Sequence, residues 1–222
     1  MSRKLYAAFV PLLAVIAFAV LPATSQAAFH WYKCEHFAAA THNRLDNQCT
    51  EATAAGHFEL KQLPFTSAKT QVITYGTLTL KSSITVTCKV IDAGNIWNTT
   101  LAEPGKDNVE VFVNYECTSP ACTSGVTITS SGLPWPTELA AGPTDKIKGV
   151  EVTVDCVGVA TLVFTGELAP KFVNTTSAAT PSFLEFTAAT GTLKSGTLTG
   201  EVIGNDRIHG FENVEGIMVA NP

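Results

Sequence analysis

Alternation with a period of two residues dominates the chain from residue 58 onward. In five runs every second side chain is apolar or small, and most residues between them are Thr or charged. No stretch of this part repeats with the helical period of 3.6 residues over a helical length. The pattern predicts antiparallel strands that bury one face and expose the other. The predicted inward faces are Val72, Thr74, Gly76, Leu78 and Leu80; Ile84, Val86, Cys88 and Val90; Val109, Val111, Val113, Tyr115 and Cys117; Val150, Val152, Val154 and Cys156; and Leu162, Phe164, Gly166 and Leu168.

Turn-forming residues separate these runs. The clearest examples are AGN at 93–95, EPGKDN at 103–108, SSGLPWP at 130–136 and AAGPTD at 140–145. With a strand about every dozen residues, the chain has room for about nine to eleven strands. We therefore predict an all-β fold, either an antiparallel β-sandwich or a barrel. The absence of a fixed-period repeat argues against a propeller or a solenoid.

The first 27 residues have the order of a secretory signal peptide. Two basic residues precede an apolar run over 5–21, and Ser25 and Ala27 suit the positions before a cleavage site. We predict that residues 1–27 are cleaved, and that the mature protein is secreted and has no contact with the membrane. A retained N-terminal anchor is the alternative.

Residues 28–57 differ in composition from the strands that follow. They are rich in Ala and His and contain few β-branched residues. We predict a small appendage over 28–57, closed by a disulfide, and an all-β domain over 58–222.

All six cysteines follow the predicted signal peptide, and an even number in an oxidising compartment favours three disulfides. Cys34 and Cys49 enclose a polar loop that a disulfide would close. The rival is a zinc site that uses both thiols with His36 and His42, although the spacing fits poorly with known zinc motifs. We predict the disulfide and no metal.

The other four cysteines allow more than one pairing. Cys88 and Cys156 lie at predicted inward positions of strands, and a short turn separates Cys117 from Cys122. We predict the bridges Cys88–Cys156 and Cys117–Cys122. The competing set is Cys88–Cys117 with Cys122–Cys156.

Charge and motifs exclude several classes of function. The predicted signal peptide carries two of the 14 basic residues and none of the 19 acidic ones, so cleavage changes the formal charge from −5 to −7. An acidic chain without a basic cluster does not suit nucleic acid. No nucleophile elbow, zinc-protease motif, phosphate loop or dinucleotide fingerprint is present, and no cofactor is predicted.

Two tryptophans lie among turn residues. Trp97 is the last residue of the sequence GNIW, which also contains Asn95. Trp135 stands between two prolines that restrict the backbone around it. Aromatic rings on the loops of a β domain can stack on sugars, which makes Asn95, Trp97 and Trp135 candidates for binding carbohydrate or a cell-envelope polymer. The alternative is that these rings cap the ends of the core.

The segment GNDRIHGFENVEG at 204–216 collects acidic residues and a histidine. Asp206, His209 and Glu212 are the candidate ligand-binding residues, and together with Glu215 they suggest acid–base chemistry. A secreted hydrolase that acts on an extracellular polymer is therefore the alternative function. The oxygen ligands in this segment lack the regular spacing of a calcium loop.

Several stretches form a recognisable set: ITYGTLTLKSS, VTCKVIDAGNIWN, VFVNYEC, GLPWPTEL, KIKGVEVTVDC and the late TGEV and RIHG. Over about residues 70 to 210 the chain resembles a group of uncharacterised secreted proteins that recur in soil bacteria. The resemblance implies neither an activity nor site residues. We therefore expect a secreted, non-catalytic binding module or an envelope-associated structural module.

Overall fold

We describe residues 28–211 and 214–220 in a computed structural model of the chain. The prediction of an all-β fold is confirmed, with more strands than the nine to eleven expected. The strands are β1 (His30–His36), β2 (His42–Arg44), β3 (Ala52–Gly56), β4 (Phe58–Gln62), β5 (Thr70–Lys81), β6 (Thr85–Trp97), β7 (Lys106–Thr118), β8 (Val126–Ser131), β9 (Trp135–Ala140), β10 (Thr144–Cys156), β11 (Ala160–Leu168), β12 (Lys171–Val173), β13 (Phe183–Phe186), β14 (Thr192–Ser195), β15 (Leu198–Gly210) and β16 (Val214–Ala220).

The described chain contains one 3-10 helix, Ala188–Thr190. Within the described ranges, no helix has the length and apolar character required to cross a membrane.

Eight strands close into a barrel. Each strand pairs with the next in the order β15, β5, β6, β7, β9, β10, β11, β14 and back to β15, and every pairing is antiparallel. Of the two predicted architectures, the structure has the barrel. Closure pairs both edges of the sheet, so the barrel itself has no free edge strand.

Three further strands extend the wall of the barrel. β8 pairs with β10 beyond the end of β9, whereas β12 and β13 form a second connection between β10 and β15. The long strands β10 and β15 are therefore shared by two sections of the wall.

The barrel interior is the main core, as the alternation predicts for four of the five runs. The inward residues of β5, β6 and β10 are almost fully buried, among them Val86, Val90 and Val154 at 0% exposure. In β11, Phe164 is buried completely and Leu168 nearly so. The period of two therefore assigned the buried face of these strands correctly.

The predicted inward face of β7 is wrong in the middle of the strand, although Val109 and Cys117 at its ends pack against the core as predicted. Val111 and Val113 are each 48% exposed and Tyr115 is 37% exposed, while Phe112 packs against the core. The register between β6 and β7 shifts between Val109 and Val111, because a bulge adds one residue there. The extra residue turns the next side chains to the opposite face, until a second register shift, opposite Thr87 to Lys89, lets Cys117 pack against the core.

A second sheet is built from both ends of the described chain. Its order is β16, β1, β4, β2, β3, so the C-terminal strand pairs with the first one. Strands from either side of residue 57 share this sheet. The predicted turn at 93–95 is absent, because these residues lie inside β6.

Trp31 and Asn98 join the second sheet to the barrel. The Trp31 ring is 1% exposed, belongs to the core, and donates its indole N–H to the carbonyl of Lys106 at 3.0 Å. The Asn98 side chain accepts from the Trp31 amide at 3.0 Å and donates to the carbonyls of Trp31 and Leu63 at 3.1 and 2.9 Å.

Three disulfides are present, and one of the three predicted pairings is confirmed. Cys34–Cys49 closes the loop of the second sheet, so the two thiols required by the zinc hypothesis are not available. The predicted bridges Cys88–Cys156 and Cys117–Cys122 are wrong: the competing set forms, Cys88–Cys117 and Cys122–Cys156.

The order of the strands explains the pairing. β6 and β7 are neighbours, and the Cα atoms of Cys88 and Cys117 lie 4.1 Å apart. Cys156 ends β10 opposite the start of β8, which brings its Cα within 5.2 Å of that of Cys122. Both bridges therefore join segments that the sheet already holds together.

Candidate functional site

The predicted ligand-binding residues lie on strands, not on loops. Asn95 and Trp97 end β6, Trp135 begins β9, and Asp206 and His209 lie on β15. Glu212 lies outside the described residues. The barrel wall divides the five described residues between its inner and outer sides.

Trp135 belongs to the interior. It is 3% exposed, its indole N–H donates to the carbonyl of Ser131 at 2.9 Å, and its ring centroid lies 5.4 Å from that of Phe112. Trp135 therefore presents no ring at the surface on which a sugar could stack, which agrees with the alternative that this ring caps the core.

Trp97 is half-buried and forms a wall of a surface pocket of about 360 Å³. The ammonium group of Lys69 lies 5.1 Å from the centroid of its ring. The remaining pocket residues come from β7, β9, β10 and the proline-rich approach to β9: Lys106, Asp107, Asn108, Pro134, Pro136, Thr137, Glu138 and Lys148. The pocket thus combines an indole and two proline rings with charged groups.

Glu138 links two lysines in this pocket. Its carboxylate accepts hydrogen bonds from the ammonium groups of Lys106, at 2.8 Å, and of Lys148. The bonds from Lys106 and then Lys148 are the main reason why the pKa of Glu138 is lowered to about 2. This group is therefore ionised at neutral pH and offers acceptors beside two ammonium donors.

Asn95 belongs to a polar row beside the pocket. It is 7% exposed, and its side-chain amide donates to the carboxylate of Glu110 at 2.8 Å. Its backbone N–H donates to the side-chain carbonyl of Asn108 at 3.0 Å. Asn108 lines the pocket, so Asn95 affects the shape of the pocket by orienting the Asn108 side chain.

Asp206 and His209 lie on opposite sides of the barrel wall. Asp206 is 1% exposed and lines the interior. The imidazole of His209 stacks on the ring of Tyr75 on the outer side, with centroids 5.0 Å apart, and shares a hydrogen bond with its hydroxyl at 2.8 Å. The structure does not bring the predicted acid and base together.

Asp206 instead joins three aspartates that the sequence did not single out. Six consecutive strands, in the order β15, β5, β6, β7, β9 and β10, each contribute one Asp or Thr to two rows of buried side chains. They form two rows of the same composition, Asp–Thr–Asp. The first row is Asp206, Thr74 and Asp92, and the second is Asp107, Thr137 and Asp145.

Within each row the two carboxyls hydrogen-bond to each other through a proton. This interaction raises the pKa of Asp206 and lowers that of Asp92 in the first row, and it raises the pKa of Asp145 and lowers that of Asp107 in the second. The Thr74 hydroxyl donates to Asp206 at 2.9 Å. The Thr137 hydroxyl lowers the pKa of both neighbouring carboxyls, yet it lacks the geometry of a full hydrogen bond.

Burial raises the pKa of all four carboxyls, because the low-dielectric interior disfavours the charged form. The pKa of Asp107 is raised to about 7, and those of Asp145 and Asp206 are raised well above their usual range, with the charge of a neighbouring Asp adding to the effect of burial. Burial and the neighbouring charge therefore favour the protonated form of Asp145 and of Asp206.

Two of the three aspartates that the sequence analysis did not identify lie in segments rich in turn-forming residues. Asp107 and Asp145 stand in EPGKDN and AAGPTD, where Asp is an ordinary turn residue. Asp92 was detectable, because it continues the inward series of Val86, Cys88 and Val90. An Asp at an inward position of a strand with alternating apolar residues was the sequence pattern that indicated a buried carboxyl.

No group of three or more His, Cys, Asp or Glu side chains in the described ranges is arranged to hold a metal ion. Comparisons with protein-family models, curated proteins and solved structures found no significant match to this chain. The resemblance to secreted proteins of soil bacteria therefore stays a prediction.

Proposed function

We propose that the protein is a secreted, non-catalytic binding module that takes one sugar residue of an extracellular or cell-envelope polymer in the pocket beside Trp97. The observation that carries the proposal is the half-buried indole at an open pocket of about 360 Å³ with charged hydrogen-bonding groups. Pockets of this size, with apolar walls and a few polar groups, are typical small-ligand sites. The predicted signal peptide and the three disulfides support export to an oxidising compartment.

The pocket matches the two surfaces of a sugar ring. The C–H face of a pyranose packs on an indole, and its hydroxyl edge needs both donors and acceptors. Lys106 and Lys148 supply donors, and Glu138 supplies acceptors. Pro134 and Pro136 stiffen the pocket wall, which reduces the entropy lost on binding.

A hydrolase is the second candidate, because two carboxyls of this pocket have pKa values displaced in opposite directions. Glu138 is ionised, whereas the pKa of Asp107 is raised to about 7, as in a nucleophile and a general acid. However, Asp107 is buried and shares its proton with Asp145, while Glu138 binds lysines on the outer side of the wall. This separation favours binding over hydrolysis.

A glycan array tests the proposal directly. The probes are soluble oligosaccharides of chitin, cellulose and peptidoglycan glycan strands, and the protein is the disulfide-bonded chain. We expect Trp97→Ala to weaken the best interaction at least about tenfold, since a central aromatic contact usually dominates a small site. The control is Tyr115→Ala, which removes an exposed ring elsewhere on the barrel wall.

Two outcomes would count against sugar binding in this pocket: no probe binds, or Trp97→Ala binds as well as the parent chain. Mixtures of the protein with each soluble oligosaccharide are also assayed for new reducing ends, which form when a glycosidic bond is hydrolysed. Their appearance with the parent chain, and their loss in Glu138→Gln, would favour the hydrolase.

A further inference from the structure

The barrel interior contains a second, separate cavity of about 90 Å³. At about 30 Å³ for each water-sized group, this volume holds roughly three or four non-hydrogen atoms. Its walls are mostly apolar, and the aromatic rings of Trp31, Phe112 and Trp135 are among them. The sugar proposed above does not fit this space, so the cavity has no role in the proposed function.

All four buried aspartates line this cavity: Asp92, Asp107, Asp145 and Asp206. No Lys, Arg or His of the described ranges is among the lining residues. A buried negative charge is costly unless a positive charge or several donors compensate it. Inside the described barrel, shared protons provide the main compensation.

The carboxyls also have hydrogen-bonding capacity that the protein leaves unused. One oxygen each of Asp107, Asp145 and Asp206 meets no protein N–H or O–H donor within the described residues. These side chains are at most 9% exposed, so bulk water does not replace the missing partner. A native fold rarely leaves buried polar atoms unpaired without a reason such as a bound water or ligand.

We propose that this cavity binds a compact organic cation, a primary ammonium group with a short apolar chain. An ammonium group has three donors and one positive charge, which suit the open carboxyl oxygens. The apolar chain and the cation both gain from the aromatic walls. Because carboxyls bind a cation best when ionised, binding releases the shared protons and becomes tighter as pH rises.

The carboxyl arrangement favours an organic cation over a metal ion. In the described ranges no three acidic or other metal-binding side chains converge as ligands. A hard cation needs six to eight oxygen ligands, whereas the cavity is mainly carbon. Asp107 and Asn108 line both this cavity and the Trp97 pocket, so the two spaces are neighbours in the barrel wall.

Calorimetric titration with propylammonium chloride tests the inference. We expect saturable binding of one propylammonium per chain, tighter at pH 8 than at pH 6. The matched neutral probe is 1-propanol, and sodium and calcium chloride control for ionic strength and for metal binding. Binding of 1-propanol with equal affinity, binding of calcium in place of propylammonium, or no binding at all would each overturn the proposal.

The variants Asp145→Asn and Asp206→Asn locate the site. Each removes one carboxyl while keeping its shape, and each is expected to weaken binding roughly tenfold or more. The control Asp155→Asn lies on the exposed side of the same strand as Asp145 and should bind as the parent does. An equal loss in all three variants would indicate a general charge effect and contradict an interior site.

A measurement on the parent chain keeps the proposal testable if a variant does not fold. Nuclear Overhauser effects between the propylammonium methyl group and the Trp135 ring are expected, because that ring lines the cavity. Saturable binding without any contact to Trp31, Phe112 or Trp135 would place the cation elsewhere and overturn the inference. Trp97→Ala should leave this binding unchanged, so failure of the sugar site is a distinct result.

Discussion

The hydroxyl of Thr74 donates a 2.9 Å hydrogen bond to the carboxyl of Asp206, across 132 residues of the chain. Both side chains are at least 97% buried. The bond ties β5 to β15 on the inner side of the wall, where these two strands close the barrel. Because this contact is buried, the free energy of unfolding should depend on the protonation of Asp206, and therefore on pH. It should also depend on the hydroxyl of Thr74.

Stability should fall as pH rises from about 4 to about 7. An unfolded Asp has a pKa near 3.9, whereas the folded pKa of Asp107 is raised to about 7 and those of Asp145 and Asp206 are raised well above their usual range. Across this window the folded state binds more protons than the unfolded state, so the free energy of unfolding decreases with pH. The slope is up to about 1.4 kcal/mol per pH unit for each carboxyl. Urea titrations from pH 4 to 8 measure it.

The opposite trend should appear below pH 4. The lowered pKa of Glu138, about 2, stabilises the fold above its unfolded pKa, and this contribution is lost as pH falls toward 2. Stability is therefore expected to peak near pH 4 to 5. A curve that stays level or rises between pH 5 and 7.5 in the parent chain would contradict the account of the buried aspartates, and Asp206→Asn should flatten the decline.

Replacing Thr74 with Val should cost about 1–3 kcal/mol of unfolding free energy at pH 7, since the Asp206 carboxyl loses the hydroxyl that donates to it while remaining buried. The matched control is Thr79→Val on the same strand, where the hydroxyl bonds to Thr87 at 2.9 Å in a partly exposed position. Its expected cost is below about 1 kcal/mol. Equal losses in the two variants, measured by urea unfolding, would argue against a special role of Thr74.

The disulfide pairing can be read from a tryptic digest without reduction. Trypsin releases peptides 82–89, 107–146 and 149–171, and the second contains both Cys117 and Cys122. The pairing Cys88–Cys117 with Cys122–Cys156 joins all three peptides in one species. Mass spectrometry should therefore find a three-peptide product. A product of 82–89 with 149–171 alone would instead indicate a Cys88–Cys156 bridge.

Asn98→Ala should destabilise the protein by about 3 kcal/mol or more. The side chain is 0% exposed and makes three hydrogen bonds to the backbone of Trp31 and Leu63, so its loss leaves buried backbone groups unpaired. Asn205→Ala, at an exposed position of β15, is the control and should change the free energy of unfolding by less than about 0.5 kcal/mol. A loss below 1 kcal/mol for Asn98→Ala would show that the second sheet does not depend on this side chain.

The sequence by itself determined the class of fold and the buried face of most strands. Alternation with a period of two is a local property, because successive side chains of a strand point to opposite faces. The inward residues of β5, β6 and β10, such as Val86 and Val154, could therefore be identified without knowing their neighbours. Cys34–Cys49 could be predicted for a similar reason, since a single short loop separates the two residues.

Tertiary structure alone decided which strands are neighbours, and the site depends on that choice. One bulge residue turned Val111 and Val113 outward, an event that no period predicts. Cys88 met Cys117 because β6 and β7 pair along the barrel. Asp206 lies beside Thr74 and Asp92 because closure brings β15 against β5, so this row of buried polar side chains exists only once the barrel is closed. A residue's face is encoded locally, whereas its partners depend on contacts between strands far apart in the chain.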